Sequence, residues 1–271
     1  MTTGIRSYVA LGDSFTEGLD DRTAADGGYR GWADRFAERL AGLEPGLRYA
    51  NLAVRGKVLR EVAEEQVPRA VAMRPDLVSV AAGGNDMLRP NADPDRLAEE
   101  FDAMIRALRA AGCPVLMFTG FDIRFPVLRL IRGKVAAFNM HLRAIAHRHG
   151  CHLVDLWAMP VLHDPRAWSP DRLHLTSEGH HRIALRVCEV MGVPADADWR
   201  EPWPPLDRLP RAGTLDWLAA RRMDARWARV HAAPWLHRRL RGRSSGDGIE
   251  PKRPDLLPLT EAQSIARQLY A

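Results

Sequence analysis

The feature that most constrains the fold is an alternation of short apolar runs with segments of helical periodicity along residues 7–191. Five apolar runs predict β-strands, at residues 7–11, 48–53, 77–82, 114–119 and 152–155. Segments with helix-like spacing of apolar residues alternate with them, at 31–43, 58–73, 94–111, 134–149 and 177–191. Strands and helices that alternate in this way are typical of an α/β fold with a parallel sheet.

The composition is that of a globular protein. Of the 271 residues, 46% are hydrophobic and 27% are charged, which are ordinary fractions for a folded chain. No apolar run approaches the ~20 residues that a bilayer span needs, so a transmembrane protein is excluded. The first residues leave no room for a signal peptide, and we therefore expect a cytoplasmic protein. The 3 cysteines lack C-x-x-C spacing, which argues against a disulfide framework or a structural zinc site.

A change in composition predicts a domain over residues 1–192 and a C-terminal extension over 193–271. The extension is rich in proline and arginine and holds five of the 8 tryptophans. That many tryptophans argue against disorder, and helical spacing of apolar residues predicts a helix over 215–230. We expect the extension to pack on the domain, where two roles stay open: a lid over the site or a contact in a homodimer.

Ser14 is the first candidate for chemistry. It lies in the segment Gly-Asp-Ser-Phe-Thr-Glu-Gly at residues 12–18, directly after the first apolar run. A serine at the end of such a strand lies at the carboxyl edge of the sheet, where α/β folds place their active sites. The alternative is that Asp13 and Ser14 only cap the next helix.

Four further residues could supply what a serine nucleophile needs. His174 could take the hydroxyl proton, and Asp171 could orient the imidazole ring. Asn85 and the main-chain N–H of Gly56 could donate hydrogen bonds to an oxyanion. Each has a simpler alternative: a capping or core histidine, a turn asparagine and a loop glycine. All four follow predicted strands, so they are expected at one edge of the sheet.

Four short blocks resemble those of the SGNH (GDSL) hydrolase family. They are Gly-Asp-Ser at 12–14, the glycine at 56, Gly-Gly-Asn-Asp at 83–86 and Asp-Arg-Leu-His at 171–174. Their order and spacing agree with the family across residues 5–191. The resemblance implies a flavodoxin-like fold, a three-layer α/β/α sandwich with a central parallel sheet.

The resemblance also implies a role for each candidate residue. Ser14 would be the nucleophile, with Asp171 and His174 as the other members of a catalytic triad. The oxyanion hole would consist of the Ser14 N–H, the Gly56 N–H and the Asn85 side chain. The expected activity is that of a serine esterase that cleaves a small-molecule carboxylic ester through an acyl-Ser14 intermediate. An acyltransferase would use the same acyl-enzyme, and this alternative stays open.

The substrate is not specified by any motif. The loop at 120–131, which is more apolar than a solvated linker needs to be, and the segment at 19–28 are expected to flank the site. Their mixture of aromatic and charged residues fits neither a purely lipid nor a purely sugar pocket. The sequence has no H-E-x-x-H, G-x-G-x-x-G or P-loop motif, so no metal and no cofactor are predicted.

A binding module is the alternative from a different functional class. From residue 196 onward there are 14 Lys+Arg against 10 Asp+Glu, and a basic, Trp-rich tail could hold a nucleic acid. Acidic residues interleave with these arginines, however, and the tryptophan spacing suits core packing better than base stacking.

Residues 242–246 match G-x-S-x-G, but no apolar strand precedes them and no histidine follows them. We therefore interpret them as a turn rather than as a second nucleophile.

Overall fold

A six-stranded mixed sheet forms the centre of the protein. The computed structural model describes residues 3–22, 28–205, 222, 226–227, 229–230 and 244–259. The strands are β1 (Ser7–Gly12), β2 (Arg48–Asn51), β3 (Leu77–Ala81), β4 (Val115–Phe118), β5 (His152–Val154) and β6 (Arg253–Pro258). They lie in the order β5-β4-β3-β1-β2-β6. The first five correspond to the five predicted strands.

The first five strands are parallel, and β1 lies between β3 and β2. Val9 of β1 is opposite Ala50 on one side and Val78 on the other. β6, which comes from the C-terminal extension, pairs antiparallel with β2. The predicted three-layer α/β/α sandwich is therefore confirmed, with an antiparallel edge strand that the sequence pattern does not predict.

Eight α-helices accompany the strands in the described part of the chain. They are α1 (Ser14–Glu17), α2 (Trp32–Leu43), α3 (Leu59–Glu61), α4 (Val67–Met73), α5 (Gly84–Met87), α6 (Pro94–Ala110), α7 (Arg132–His149) and α8 (Ser177–Met191). A π-helical segment, Val62–Gln66, joins α3 to α4 just before Pro68. Proline lacks the N–H of a regular helix, so this segment takes up the irregularity. None of the described helices is both long and apolar enough to cross a bilayer.

The pleat of β1 divides the core into two layers. Tyr8 and Ala10 belong to one buried cluster, which they share with residues of α2 and α8. Val9 and Leu11 belong to the other, which contains residues of α6 and α7. Because side chains alternate along a strand, a continuous apolar run such as this one serves both faces of a sheet that is covered by helices on both sides.

The segment of the extension that forms β6 is also bonded to residues outside the sheet. Lys252 directly precedes β6, and its Nζ donates hydrogen bonds to the carbonyl oxygens of Glu17, at 2.6 Å, and Tyr29, at 3.1 Å. The same ammonium group forms an ion pair with the buried Asp34 carboxylate. Most of the helix predicted over 215–230 lies outside the described residues; Arg222, 226 and 227 are helical.

Candidate active site

Ser14 lies where β1 ends and α1 begins. It is the first residue of α1, and Asp13 is the residue that caps this helix, because its carboxylate accepts a hydrogen bond from the Phe15 N–H at 3.1 Å. The helix-capping role that was the alternative for Asp13 and Ser14 therefore belongs to Asp13. The Ser14 hydroxyl is directed to another partner, which the loop before α8 provides.

That loop holds Asp171 and His174 in a tight turn. The Asp171 Oδ1 atom accepts hydrogen bonds from the N–H groups of Leu173 and His174, both at 3.0 Å. Arg172 adopts a φ of 60° within the turn. From the extension, the Trp227 indole N–H donates to the Asp171 carbonyl oxygen at 2.7 Å. These contacts fix the Asp171 carboxylate relative to the imidazole ring three residues later.

The three side chains form one hydrogen-bonded chain. The distance from Ser14 Oγ to His174 Nε2 is 2.9 Å, and the distance from His174 Nδ1 to Asp171 Oδ2 is 2.5 Å. A carboxylate can only accept a hydrogen bond, so Nδ1 carries the proton and the neutral ring presents Nε2 as an acceptor. In that tautomer the Ser14 hydroxyl donates to His174, which is the arrangement of a nucleophile with its base.

The electrostatic surroundings shift the pKa values of His174 and Asp171 in opposite directions. Burial by itself would lower the pKa of His174, but the hydrogen bond and charge of Asp171, followed by the charges of Asp20 and Asp13, outweigh it and raise the pKa. Burial would raise the pKa of Asp171, and its hydrogen bond to His174 outweighs this and lowers the pKa. The site thus stabilises the imidazolium that forms when a base takes a proton.

The Asn85 amide lies beside this chain, at the carboxyl end of β3. Its Nδ2 donates to Asp13 Oδ2 at 3.1 Å and to the Lys57 carbonyl oxygen at 2.9 Å. Burial raises the pKa of Asp13 to about 6. Gly56 follows β2 and also lines the cavity next to Ser14. The structure therefore brings all five predicted site residues together around one cavity.

One group of side chains has the composition of a metal site. Among the described residues, Asp20, Asp171 and His174 each place one potential ligand atom within 4.8 Å of the others. Two of these atoms already share the hydrogen bond of 2.5 Å, and a cation at His174 Nδ1 would break it. We therefore assign Asp20 to the electrostatics of the imidazole, with its Oδ2 atom 4.0 Å from Nδ1, and not to a metal centre.

Several residues in and around the site carried no motif in the sequence. Asp20 is one, although its segment was expected to flank the site, and its φ of 73° is unusual for a residue other than glycine. The 120–131 loop lines the cavity as expected, and part of it, Pro126–Ile131, forms a 3₁₀ helix. Ser244 and Ser245 of the extension also line the cavity. Ser244 and Ser245 reach the cavity through contacts between distant segments of the chain, which the sequence does not reveal.

Comparison with known proteins agrees with this geometry. Residues 10–182 match the model of the GDSL-like lipase/acylhydrolase family. The chain belongs to this family. As a GDSL-type acylhydrolase, it is a carboxylic ester hydrolase, as the SGNH resemblance predicted.

The relatives of this GDSL-type hydrolase include carbohydrate esterases. It is 24% identical over 202 residues to an acetylxylan esterase of Geobacillus stearothermophilus, a match that covers 67% of this chain and 92% of the relative. The crystal structure of Axe2, an acetylxylan esterase from the same organism, superposes with a TM-score of 0.60 at 20% identity, covering 73% and 98% of the two chains.

A second similar fold is that of TesA. Its crystal structure superposes with a TM-score of 0.58 at 24% identity, covering 68% of this chain and 97% of that chain. The matched family segment ends at residue 182. The described residues of the extension at 244–259 therefore lie beyond the segment that defines the family.

Proposed function

We propose that this GDSL-type hydrolase cleaves carboxylic esters through a covalent acyl-Ser14 intermediate. The observation that carries the proposal is the continuous hydrogen-bonded chain from Ser14 Oγ through His174 to Asp171, with distances of 2.9 and 2.5 Å. A serine hydroxyl is a poor nucleophile at neutral pH, and a base at hydrogen-bond distance is what activates it. The family membership of the chain independently supports ester hydrolysis.

In the first half of the reaction, Ser14 Oγ forms a bond with the ester carbonyl carbon while His174 Nε2 takes the hydroxyl proton. The carbonyl oxygen becomes an oxyanion, for which the Ser14 N–H, the Gly56 N–H and the Asn85 amide are the proposed donors. The bond between the carbonyl carbon and the alcohol oxygen then breaks. His174 gives its proton to the departing oxygen, and the acyl group stays on Ser14.

In the second half, water takes the place of the alcohol. His174 accepts a proton from the water as its oxygen attacks the acyl carbon, and it returns that proton to Ser14 Oγ when the carboxylic acid leaves. Asp171 stays ionised throughout, because its pKa is lowered by the bond to His174, and it stabilises the imidazolium in both halves. An alcohol in place of water would give acyl transfer, so product analysis with added alcohol measures how the two outcomes divide.

The test is labelling with a fluorophosphonate, which reacts with activated serines. We expect the native chain to be labelled at Ser14 and the Ser14→Ala variant to lose both labelling and activity. Ser177→Ala is the matched control, since Ser177 is likewise the first residue of a helix, α8, and does not line the cavity. Equal labelling of the native chain and the Ser14→Ala variant would overturn the proposal.

A further inference from the structure

The cavity beside Ser14 is large and mostly apolar. Its volume is about 520 Å³, which is within the range of sites for drug-sized ligands. A row of aromatic rings begins next to the nucleophile, with centroid distances of 5.4 Å from Phe15 to Phe121, 5.0 Å from Phe121 to Trp168 and 5.8 Å from Trp168 to Phe125. An acetyl group would leave most of this volume filled with water against apolar walls.

The wall of the cavity that α7 forms is apolar as well. Val135, Phe138 and Leu142, which lie on one face of α7, line it and are almost fully buried. The lining carboxylate of Asp122 is already engaged: it accepts hydrogen bonds from Arg124 at 3.0 Å and from Arg132 at 2.5 Å, and its Oδ2 lies 3.2 Å from Nε2 of the lining His163. A sugar would need free hydrogen-bonding partners for its hydroxyl groups, whereas an aliphatic chain needs none.

The order of bond breaking indicates which part of an ester enters this cavity. The alcohol leaves while the acyl group is still attached to Ser14, so the alcohol needs a path to solvent at that stage. The acyl group is released last and can stay in the cavity until the second half of the reaction. An apolar cavity next to the nucleophile is therefore better suited to the acyl group than to the alcohol.

We propose that this cavity binds the aliphatic acyl chain of the substrate, with acyl groups of roughly six to ten carbons as the preferred size for a cavity of several hundred Å³. This inference rests on the proposed function, because it assumes an acyl-Ser14 intermediate. It distinguishes the chain from an esterase that removes acetyl groups from carbohydrates. The site then discriminates between substrates by the apolar area that the acyl chain buries.

A series of p-nitrophenyl esters of increasing acyl length tests this assignment. We expect kcat/KM to rise about fourfold per methylene, the 0.8 kcal/mol of a buried CH₂ converted at 1.4 kcal/mol per factor of ten. Hexanoate should then exceed acetate by about 200-fold, four methylenes at that increment. Equal or higher kcat/KM for acetate, in a protein that still labels at Ser14, would overturn the acyl assignment and leave the proposed function intact. Loss of labelling would instead overturn the proposed function.

Two leucines of the same 3₁₀ helix provide a matched pair of variants. Leu128 lines the cavity, whereas Leu130 is 91% exposed. Leu128→Trp should lower the ratio of kcat/KM for hexanoate to kcat/KM for acetate at least tenfold, and Leu130→Trp should leave this ratio unchanged. Equal effects of the two substitutions would contradict the assignment. Faster cleavage of hexyl acetate than of ethyl hexanoate would also overturn it, because the cavity would then hold the alcohol.

A second inference concerns the extension and rests on different contacts. Residues 244–246, the turn that matches part of G-x-S-x-G, pack directly on the loop that holds Gly56. A Cβ atom at Gly56 would lie 2.2 Å from Ser244 Oγ, and a Cβ atom at Gly246 would lie 2.1 Å from the Arg55 carbonyl oxygen. The two segments can approach so closely only because each presents a glycine to the other.

Hydrogen bonds and an ion pair hold each of these two segments in place. The Arg55 guanidinium forms an ion pair with Glu17, and the Arg55 N–H donates to the same carboxylate at 2.7 Å. The Ser244 N–H donates to Asp247 at 2.9 Å, and Lys252 is bonded to the carbonyl oxygens of Glu17 and Tyr29. The turn therefore lies against the Gly56 loop as a fixed support.

We infer that residues 244–246 are positioning residues for the Gly56 N–H, so that the extension takes part in catalysis without touching the reacting atoms. Gly246→Ala would push the Arg55 carbonyl oxygen away and so rotate the peptide unit between Arg55 and Gly56, which also carries that N–H. Because misplacement by about 1 Å can cost 10² in rate, we expect kcat to fall at least tenfold with KM within about twofold.

Gly133→Ala is the control, since a Cβ atom there meets no other group. Ser244→Gly is a second variant that removes the contact without adding an atom, and it should lower kcat in the same direction at an unchanged melting temperature. An unchanged kcat in both variants would overturn the inference. So would a rise in KM at constant kcat, because that would place the turn in substrate binding instead.

Discussion

Replacement of Asn85 tests the proposed oxyanion hole in detail. Both hydrogens of its amide nitrogen are engaged in the structure, one with Asp13 Oδ2 at 3.1 Å and one with the Lys57 carbonyl oxygen at 2.9 Å. An oxyanion must therefore replace one of these acceptors. The longer bond, to Asp13, is the one that we expect to be exchanged in the transition state.

The size of the effect follows from that exchange. Loss of one oxyanion donor costs about 2.7–4 kcal/mol in the transition state, and the bond to Asp13 that must be given up offsets about 1 kcal/mol of it. The remaining ~2–3 kcal/mol corresponds to a decrease in kcat of roughly 30- to 150-fold for Asn85→Ala. KM should stay nearly constant, because the interaction is made only in the transition state.

The assay is steady-state hydrolysis of a p-nitrophenyl ester, together with a melting curve for each variant. Asn91→Ala is the control, as Asn91 is an exposed asparagine of the same region. A kcat within threefold of the native value, at an unchanged melting temperature, would refute the role of Asn85 as a donor. A higher KM at constant kcat would show that Asn85 binds the ground state of the substrate.

Three further predictions concern the surroundings of the site. Asp171→Asn should lower kcat by about 10⁴, measured by steady-state kinetics; a loss of less than tenfold would contradict the triad. Asp20→Asn removes a charge that raises the pKa of His174. Because His174 must be neutral to act as a base, the acid limb of the pH profile of kcat/KM should move to lower pH; an acid limb at the native position would exclude this electrostatic role of Asp20. Lys252→Met removes the cation next to the buried Asp34 carboxylate and should lower the free energy of unfolding by about 3 kcal/mol; an unchanged urea midpoint would contradict the anchoring of the extension.

Most of the fold was predictable because its strands are short apolar runs and its helices have a regular apolar face. β6 was not predicted, since Arg253–Pro258 contains two prolines, and proline lacks the N–H that a central strand needs. It is tolerated at the edge of a sheet, where one side of the strand has no partner. Residues 58–73 were predicted as helical, but Pro68 lies within them, and a π-helical segment precedes it.

The candidate site was predictable for a related reason. Ser14, Gly56 and Asn85 follow parallel strands, and the carboxyl ends of such strands meet at one edge. The pairing of Asn85 with Asp13 could not be predicted, because it depends on side-chain directions across two strands. Nor could the contact of Ser244 with the Gly56 loop, which joins segments nearly 190 residues apart through two glycines.

The acyl-enzyme itself provides the most direct test of the account. Native protein mixed with p-nitrophenyl hexanoate, quenched in acid during turnover and digested, should yield a peptide that contains Ser14 and carries one hexanoyl group. The Ser14→Ala variant should yield no acylated peptide and no turnover. Turnover by the native protein without any acylated peptide, together with turnover by Ser14→Ala, would contradict the central claim that the reaction proceeds through Ser14.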